Sequence, residues 1–287
     1  MQRNYVQGDE ALRPLPGGRL GGGRLFVCAT AFIAGGIAAT PALATDHFNL
    51  ESDIPTVIED IEPTDRGSVE LQAYGRYLRQ REEENAGEAE FRAVWGVLDK
   101  TQLEIAVPLL LGEGTANGNG DVQISVLRKL WDNRKGAWWP GAALEADVRL
   151  PTGVERVGFM NRVDPGLTAV MMRSVGPNTF HLNAGFDWTG DKSEEERLRS
   201  LAWIIAAGHH ISLTEWLVLV SDVVWRQADD EGVEDKWLFE TGFRAQVSRL
   251  LIGAIGVGVG LNRGHDTPLF SLTAGLQISL WAQKTDR

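Results

Sequence analysis

Cysteine is almost absent: Cys28 is the only one in 287 residues. It lies in an N-terminal stretch that reads as a removable export signal, so the mature chain is expected to hold no disulfide and no thiol chemistry. A lipid-anchoring role does not suit Cys28, because the apolar run continues past it to Thr40. Long apolar runs are missing as well. After residue 44 nothing approaches the roughly 18 consecutive apolar residues of a membrane-crossing helix, which excludes a helical membrane protein. Basic charge is the third shortage, with 28 Lys and Arg against 39 Asp and Glu and a formal net charge of −11. Such a balance argues against nucleic acid as a partner.

Residues 1–44 have the order of a secretory signal peptide. Arg19 and Arg24 precede the apolar stretch Leu25–Ala39, and Ala42-Leu43-Ala44 supplies small residues for cleavage. Removing them takes away four arginines, one aspartate and one glutamate, and the formal charge falls from −11 to −13. An exported chain with no helical span leaves two folds to weigh, a soluble β-sandwich and a β-barrel in an outer membrane.

What the sequence has in quantity is alternation. From Phe270 to Leu280 every even-numbered residue is apolar and every odd one small or polar. A two-residue period is that of a pleated strand with one face in an apolar medium. The run matches the roughly 9–11 residues of a tilted membrane-crossing strand. Eleven further runs precede it: Ser68–Leu78, Ala89–Val97, Leu103–Leu111, Asp121–Trp131, Gly141–Leu150, Pro165–Ser174, Thr179–Trp188, about Arg199–His210, about Trp216–Trp225, Lys236–Val247 and Leu250–Leu261. The runs after residue 199 include two that are apolar on both faces, whose facing the alternation does not settle. Ahead of the first run, residues 45–66 are acidic and contain Pro55 and Pro63. They read as an acidic periplasmic lead-in, with a strap or an inward plug as other roles and an ordered tail as the expectation. The glycine-rich stretch Gly112–Gly120 lacks the lysine and following helix of a phosphate-binding loop and reads as a flexible loop.

Two checks favour the barrel. Connections after odd-numbered runs are long and polar and those after even-numbered runs are short, as in bacterial barrels with long outer loops and short periplasmic turns. An even number of strands also returns both chain ends to the periplasm. Tryptophan placement agrees. Trp95, Trp131, Trp138, Trp139, Trp216 and Trp281 fall at the short-turn rim, and Trp188, Trp203, Trp225 and Trp237 at or near the long-loop rim. Indole prefers the membrane interface, where its ring is buried and its N–H stays wet. The expected fold is therefore all-β: a 12-stranded antiparallel up-and-down transmembrane β-barrel over residues 67–281, with a short C-terminal tail at 282–287.

The faces turned inward in such a barrel hold Glu70, Arg76, Glu90, Arg92, Glu104, Lys129, Glu145, Asp147, Arg149, His181, Asp187, Glu240 and Arg244. These line a polar lumen, pairing with one another to fill much of it. Twelve strands lie between small filled barrels of about eight and open porins of about 16–18. A narrow, partly plugged passage is expected rather than a wide pore. His210-Ile211-Ser212 has the His-x-Ser spacing of outer-membrane phospholipases, but it falls at a short turn, and no asparagine is evident to orient the histidine. His181 and His209 form no metal-ligand spacing, so neither a metal nor another cofactor is expected. The loop acids Glu194, Glu195, Glu196, Asp229, Asp230 and Glu231 suit either solvation or divalent-cation bridging to lipopolysaccharide.

Ile58-Glu59-Asp60-Ile61-Glu62-Pro63, Gly120-Asp121-Val122-Gln123-Ile124 and Val148-Arg149-Leu150-Pro151-Thr152-Gly153 carry a family resemblance. Over roughly Asp53 to Leu280 the mature chain resembles the outer-membrane, transporter-like family linked to the meta-pathway of phenol degradation. Phe180-His181-Leu182-Asn183-Ala184-Gly185 and Gly275-Leu276-Gln277-Ile278-Ser279-Leu280 extend it. Within the last stretch, Gly275, Ile278 and Leu280 look like the terminal signal read by barrel-assembly machinery, although Ala282–Arg287 continue past Trp281. The resemblance implies a Gram-negative outer-membrane location and passive uptake of small, hydrophobic or aromatic molecules. It assigns no catalytic or ligand residue. A structural or recognition barrel without transport and a phospholipase-like hydrolase are the alternatives.

Overall fold

The structure is a computed structural model that describes residues 48–81, 85–112, 117–133, 138–153, 163–188, 199–228, 232–264 and 267–281. The expectations for the signal peptide, the acidic loop residues, the C-terminal tail and the side chain of Trp281 lie outside these. The chain forms β1 (Val69–Arg79), β2 (Ala86–Leu98), β3 (Thr101–Gly112), β4 (Gly118–Asn119), β5 (Val122–Trp131), β6 (Gly141–Leu150) and β7 (Asp164–Val175). It continues with β8 (Asn178–Trp188), β9 (Leu201–Ser212), β10 (Leu217–Arg226), β11 (Lys236–Gln246), β12 (Leu251–Gly260) and β13 (Phe270–Trp281). Each long strand pairs antiparallel with the next, and β1 pairs with both β2 and β13, so twelve strands close into a barrel.

The two-residue β4 departs from the flexible loop expected over 112–120. It pairs with Leu109 and Leu110 of β3, beyond the stretch Thr101–Ala106 that pairs with β5. Pro108 lies between these two pairings and has no N–H to give a neighbour. Its carbonyl accepts from Gly120 N at 2.9 Å.

Burial is inverted relative to a soluble protein. Leu71, Phe91, Ile105, Leu182, Ile255 and Leu276 are exposed on the outer surface, while Gln72, Arg92, Arg244 and Gln277 are buried on the inner one. Only a lipid surround makes that arrangement favourable, since each outward apolar group is then removed from water.

Residues 48–64 correct the reading of a periplasmic tail: they run across the inner wall as a plug. Leu50, Ile54, Ile58 and Ile61 are buried, and three of them seat where the wall lacks a side chain. Ile58 lies over Gly208, Ile61 over Gly141 and Ile54 over Gly275, and Pro55 packs against Gly242 and Gly256. A Cβ at Gly275 would stand 2.8 Å from Ile54 Cγ2. The plug also explains the two strands apolar on both faces. Ala206 on β9 and Val218, Val220 and Val224 on β10 face inward and are covered by Leu50 and Ile58.

Lipid-facing position sets the cost of a charge. Leu276→Arg, at mid-strand on the outer surface, should lower stability to urea unfolding into vesicles by ~2–4 kcal/mol, and Leu280→Arg, near the rim, by ~0–1 kcal/mol. Equal losses at the two sites would contradict this embedding.

Candidate functional site

Among the described residues, the lumen and its plug draw polar side chains together away from water. Alternation places Arg76 on β1 and Arg92 on β2 on the inner face, and Asp53 of the plug sits between them, 3.1 Å from each guanidinium. Arg92 also donates to the Ser52 carbonyl at 2.8 Å and pairs with Glu90, with Glu104 at 3.6 Å. Arg76 donates to Thr273 Oγ1 at 3.2 Å and lies 3.8 Å from Glu240. The Tyr74 ring lies 5.8 and 5.4 Å from the two guanidinium carbons, and its hydroxyl donates to Glu88 at 3.0 Å. This is a clamp in which a plug carboxylate completes the wall's arginines.

Further anchors ring the plug. Arg244 donates to the Ile54 carbonyl at 3.1 Å and to Gln277, which in turn donates to Glu70 at 2.5 Å. Lys129 pairs with Glu62 at 2.6 Å and Asp132 at 2.9 Å. Gln102 accepts from Thr64 N–H at 2.8 Å, and Asp222 from Ile58 N–H at 3.1 Å. Asn183, with its amide oxygen turned to the Glu59 N–H, spans that residue's backbone at 2.8 and 3.2 Å. Val170 of β7 shares an apolar cluster with Ile61. With the glycine seats, every one of the twelve long strands touches the plug.

All thirteen polar residues read from the sequence lie on inner faces, in three settings. Glu70, Arg76, Glu90, Arg92, Glu104, Lys129, Glu240 and Arg244 belong to the plug's anchoring network, and Glu145 stands beside the Glu59 carboxyl. Asp147 and Arg149 on β6 and Asp187 on β8 form a separate outer group, with Arg149 and Asp187 2.6 Å apart and Asp147 over Gly166. His181 Nε2 lies 3.0 Å from His210 Nδ1, both rings buried. Sequence reasoning missed the plug's own Glu51, Asp53, Glu59, Asp60 and Glu62, and Asp222 on the wall. The signal available was the spacing of Leu50, Ile54, Ile58 and Ile61 within an otherwise acidic stretch.

The tryptophans mark both rims. Trp95, Trp131, Trp138, Trp139 and Trp216 lie at or between strand ends on the short-turn side and are exposed. Trp188, Trp203, Trp225 and Trp237 lie near the other rim, with Trp225 directly opposite Trp237. Trp131 Nε1 donates to the Pro140 carbonyl at 2.8 Å and Trp225 Nε1 to Asp235 at 3.1 Å. Ser212 ends β9, and among the described residues no hydrogen bond joins it to His210. His209 faces outward and bonds Asn178 at 2.9 Å. No group of three or more His, Cys, Asp or Glu side chains able to hold a metal occurs among the described residues.

A closed wall greasy outside and polar inside, rimmed by tryptophan, defines a β-barrel of a Gram-negative outer membrane. The chain belongs to the family described as "Putative MetA-pathway of phenol degradation", which it matches over residues 32–285. In fold it is similar to the COG4313 outer membrane channel from Pseudomonas putida F1, at 14% identity and a TM-score of 0.59, over 77% of this chain and 98% of that one. It is also similar to the NanC porin, at 11% identity and a TM-score of 0.52, over 74% of this chain and 100% of that one. Among curated proteins none matches the sequence.

The plug's acids respond differently to their burial. Burial works to raise the Asp53 carboxyl, but Arg76 and Arg92 outweigh it and hold it below the usual range. Burial pushes Glu51 well up, with Glu104 adding to it, and does the same for Glu59, with Glu145 adding. Asp60 is pushed up to about 8 by burial, against the pull of N–H groups from Glu62 and Leu50. A carboxyl that holds its proton more tightly docked than free favours docking at low pH and opposes it as pH rises toward the docked value. Docking should therefore weaken through the neutral range toward about pH 8, set by Asp60. Asp53 acts with the opposite sign, supporting the plug until acid protonates it. Conductance in planar bilayers should rise through the neutral range toward about pH 8, and rise less in an Asp60→Asn variant. A wild-type conductance that is flat over this range would remove the linkage.

Proposed function

We propose that this barrel is a passive outer-membrane channel for small, apolar or aromatic molecules, with residues 48–64 setting how much of its cross-section is open. The observation that carries the reading is the divided lumen. An aliphatic arc on β9 and β10 stands against the charged inner faces of β1–β3, and Leu50 and Ile58 of the plug cover the arc. With the plug seated this arc is buried, and where the plug yields it offers an apolar face that suits a route for apolar solutes. The family's association with phenol degradation supports the same substrate class. Movement is diffusion down a gradient, and folding depends on lipid and on the barrel-assembly machinery that reads the β13 terminus.

The second reading is a structural or recognition barrel, favoured by the plug's contact with every long strand. A hydrolase has less support, because His210 is engaged by His181 rather than by Ser212. Conductance separates the first two. Wild-type protein in planar bilayers should give small steps, and a variant lacking residues 48–62 should give steps several-fold larger. Silence from both, in protein that keeps heat-modifiable gel mobility, would favour the structural barrel.

A further inference from the structure

Three inward side chains on consecutive strands meet beneath the plug. Met172 of β7 stands directly opposite His181 of β8, and partners so placed have Cβ atoms about 4.5–5.5 Å apart. His210 of β9 is the diagonal neighbour of His181, because Gly208 faces His181 and Thr179 faces His210. The two rings lean together until His181 Nε2 lies 3.0 Å from His210 Nδ1. Met172, His181 and His210 are all buried. Ile61 of the plug packs with Met172, and Ile58 sits over Gly208. The other ring nitrogen of His181, Nδ1, is buried with no hydrogen bond among the described residues, although the plug backbone at Glu59 comes to that ring.

We propose that Met172, His181 and His210 form a binding site for a soft monovalent metal ion, copper(I) or its analogue silver(I). With one proton between two neutral imidazoles, one of the two outer nitrogens is left bare. An ion in place of that proton lets both outer nitrogens carry N–H, and His181 Nδ1–H then has the Glu59 carbonyl as its acceptor, the usual support of a ligating histidine. Two nitrogens each about 2.0–2.1 Å from one ion in tetrahedral geometry lie about 3.3 Å apart, so the rings have to open only slightly. Thioether sulfur selects copper(I) over harder ions. A divalent ion would bring two charges into a buried seat whose three donors are all neutral. No spacing along the chain announces the set, since its members come from three strands that only the ladder aligns.

The site stands whether or not the barrel conducts, and its occupancy is measured without any flux. The test folds the full-length protein into lipid nanodiscs with silver nitrate in chloride-free buffer, so that the ion is present before the plug seats. Free metal is removed by gel filtration and the retained silver is counted. A Cys28→Ser background removes the one thiol. In that background His181→Gln and His210→Gln should each retain about one ion fewer per chain than the parent, whereas His209→Gln, on the outer face, should retain as much. X-ray absorption of protein loaded anaerobically with copper(I) should show nitrogen and sulfur neighbours, and Met172→Leu should lose the sulfur and keep the nitrogens. Heat-modifiable gel mobility certifies that each variant has folded. Equal retention by the parent and both glutamine variants overturns the site, and zinc(II) held there in preference to silver overturns the choice of a soft ion.

Discussion

Hydrocarbon offers a peptide group no hydrogen-bond partner, and that single deficiency governs the molecule. A sheet in lipid must close, because each unpaired N–H or C=O at an edge would cost several kcal/mol. Closure here is the pairing of β1 with β13, an unbroken register from Glu70 opposite Ser279 to Arg79 opposite Phe270. Once the wall is closed, alternation has only one consistent sense. Outward residues meet lipid, and inward ones meet whatever fills the tube.

In this chain the filling is largely the chain itself. A tube of twelve strands leaves more room than its wall side chains take up, and wall charges alone would face one another across a partly dehydrated space. Residues 48–64 resolve both difficulties. Their aliphatic knobs occupy places the wall keeps free with glycine, and their carboxylates meet Arg76, Arg92 and Lys129. Breaking one partner of a buried pair leaves an uncompensated charge, so such pairs fix a position more than they stabilise it. The wall and plug are thereby matched at many points.

The wall was legible in the sequence because its rule is local. The run read as Gly141–Leu150 is β6 to the residue, and Phe270–Leu280 differs from β13 only by Trp281. Where the medium on the inner side changes, the rule fails. Val218, Val220 and Val224 face a greasy plug instead of water, so β10 lost its alternation and its facing could not be read. The plug was illegible for the opposite reason. Its acids signalled solvent, while the partners that bury them lie on strands up to two hundred residues away and are brought round only by closure. The histidine pair is similar: His181 and His210 meet because β8 and β9 are neighbours, and nothing in their spacing announces it.

Arg244 reaches the Ile54 carbonyl across 190 positions of sequence, and Ile54 rests on Gly275 of the final strand. The first of the described residues thus have their seat on the strand that is made last. Contacts so distant along the chain carry their full loop-closure entropy before they return any stabilisation. Maturation must accordingly pass through a tube still lacking its stopper, briefly wetter and wider than the finished article, until the amino-terminal ribbon settles and shuts it.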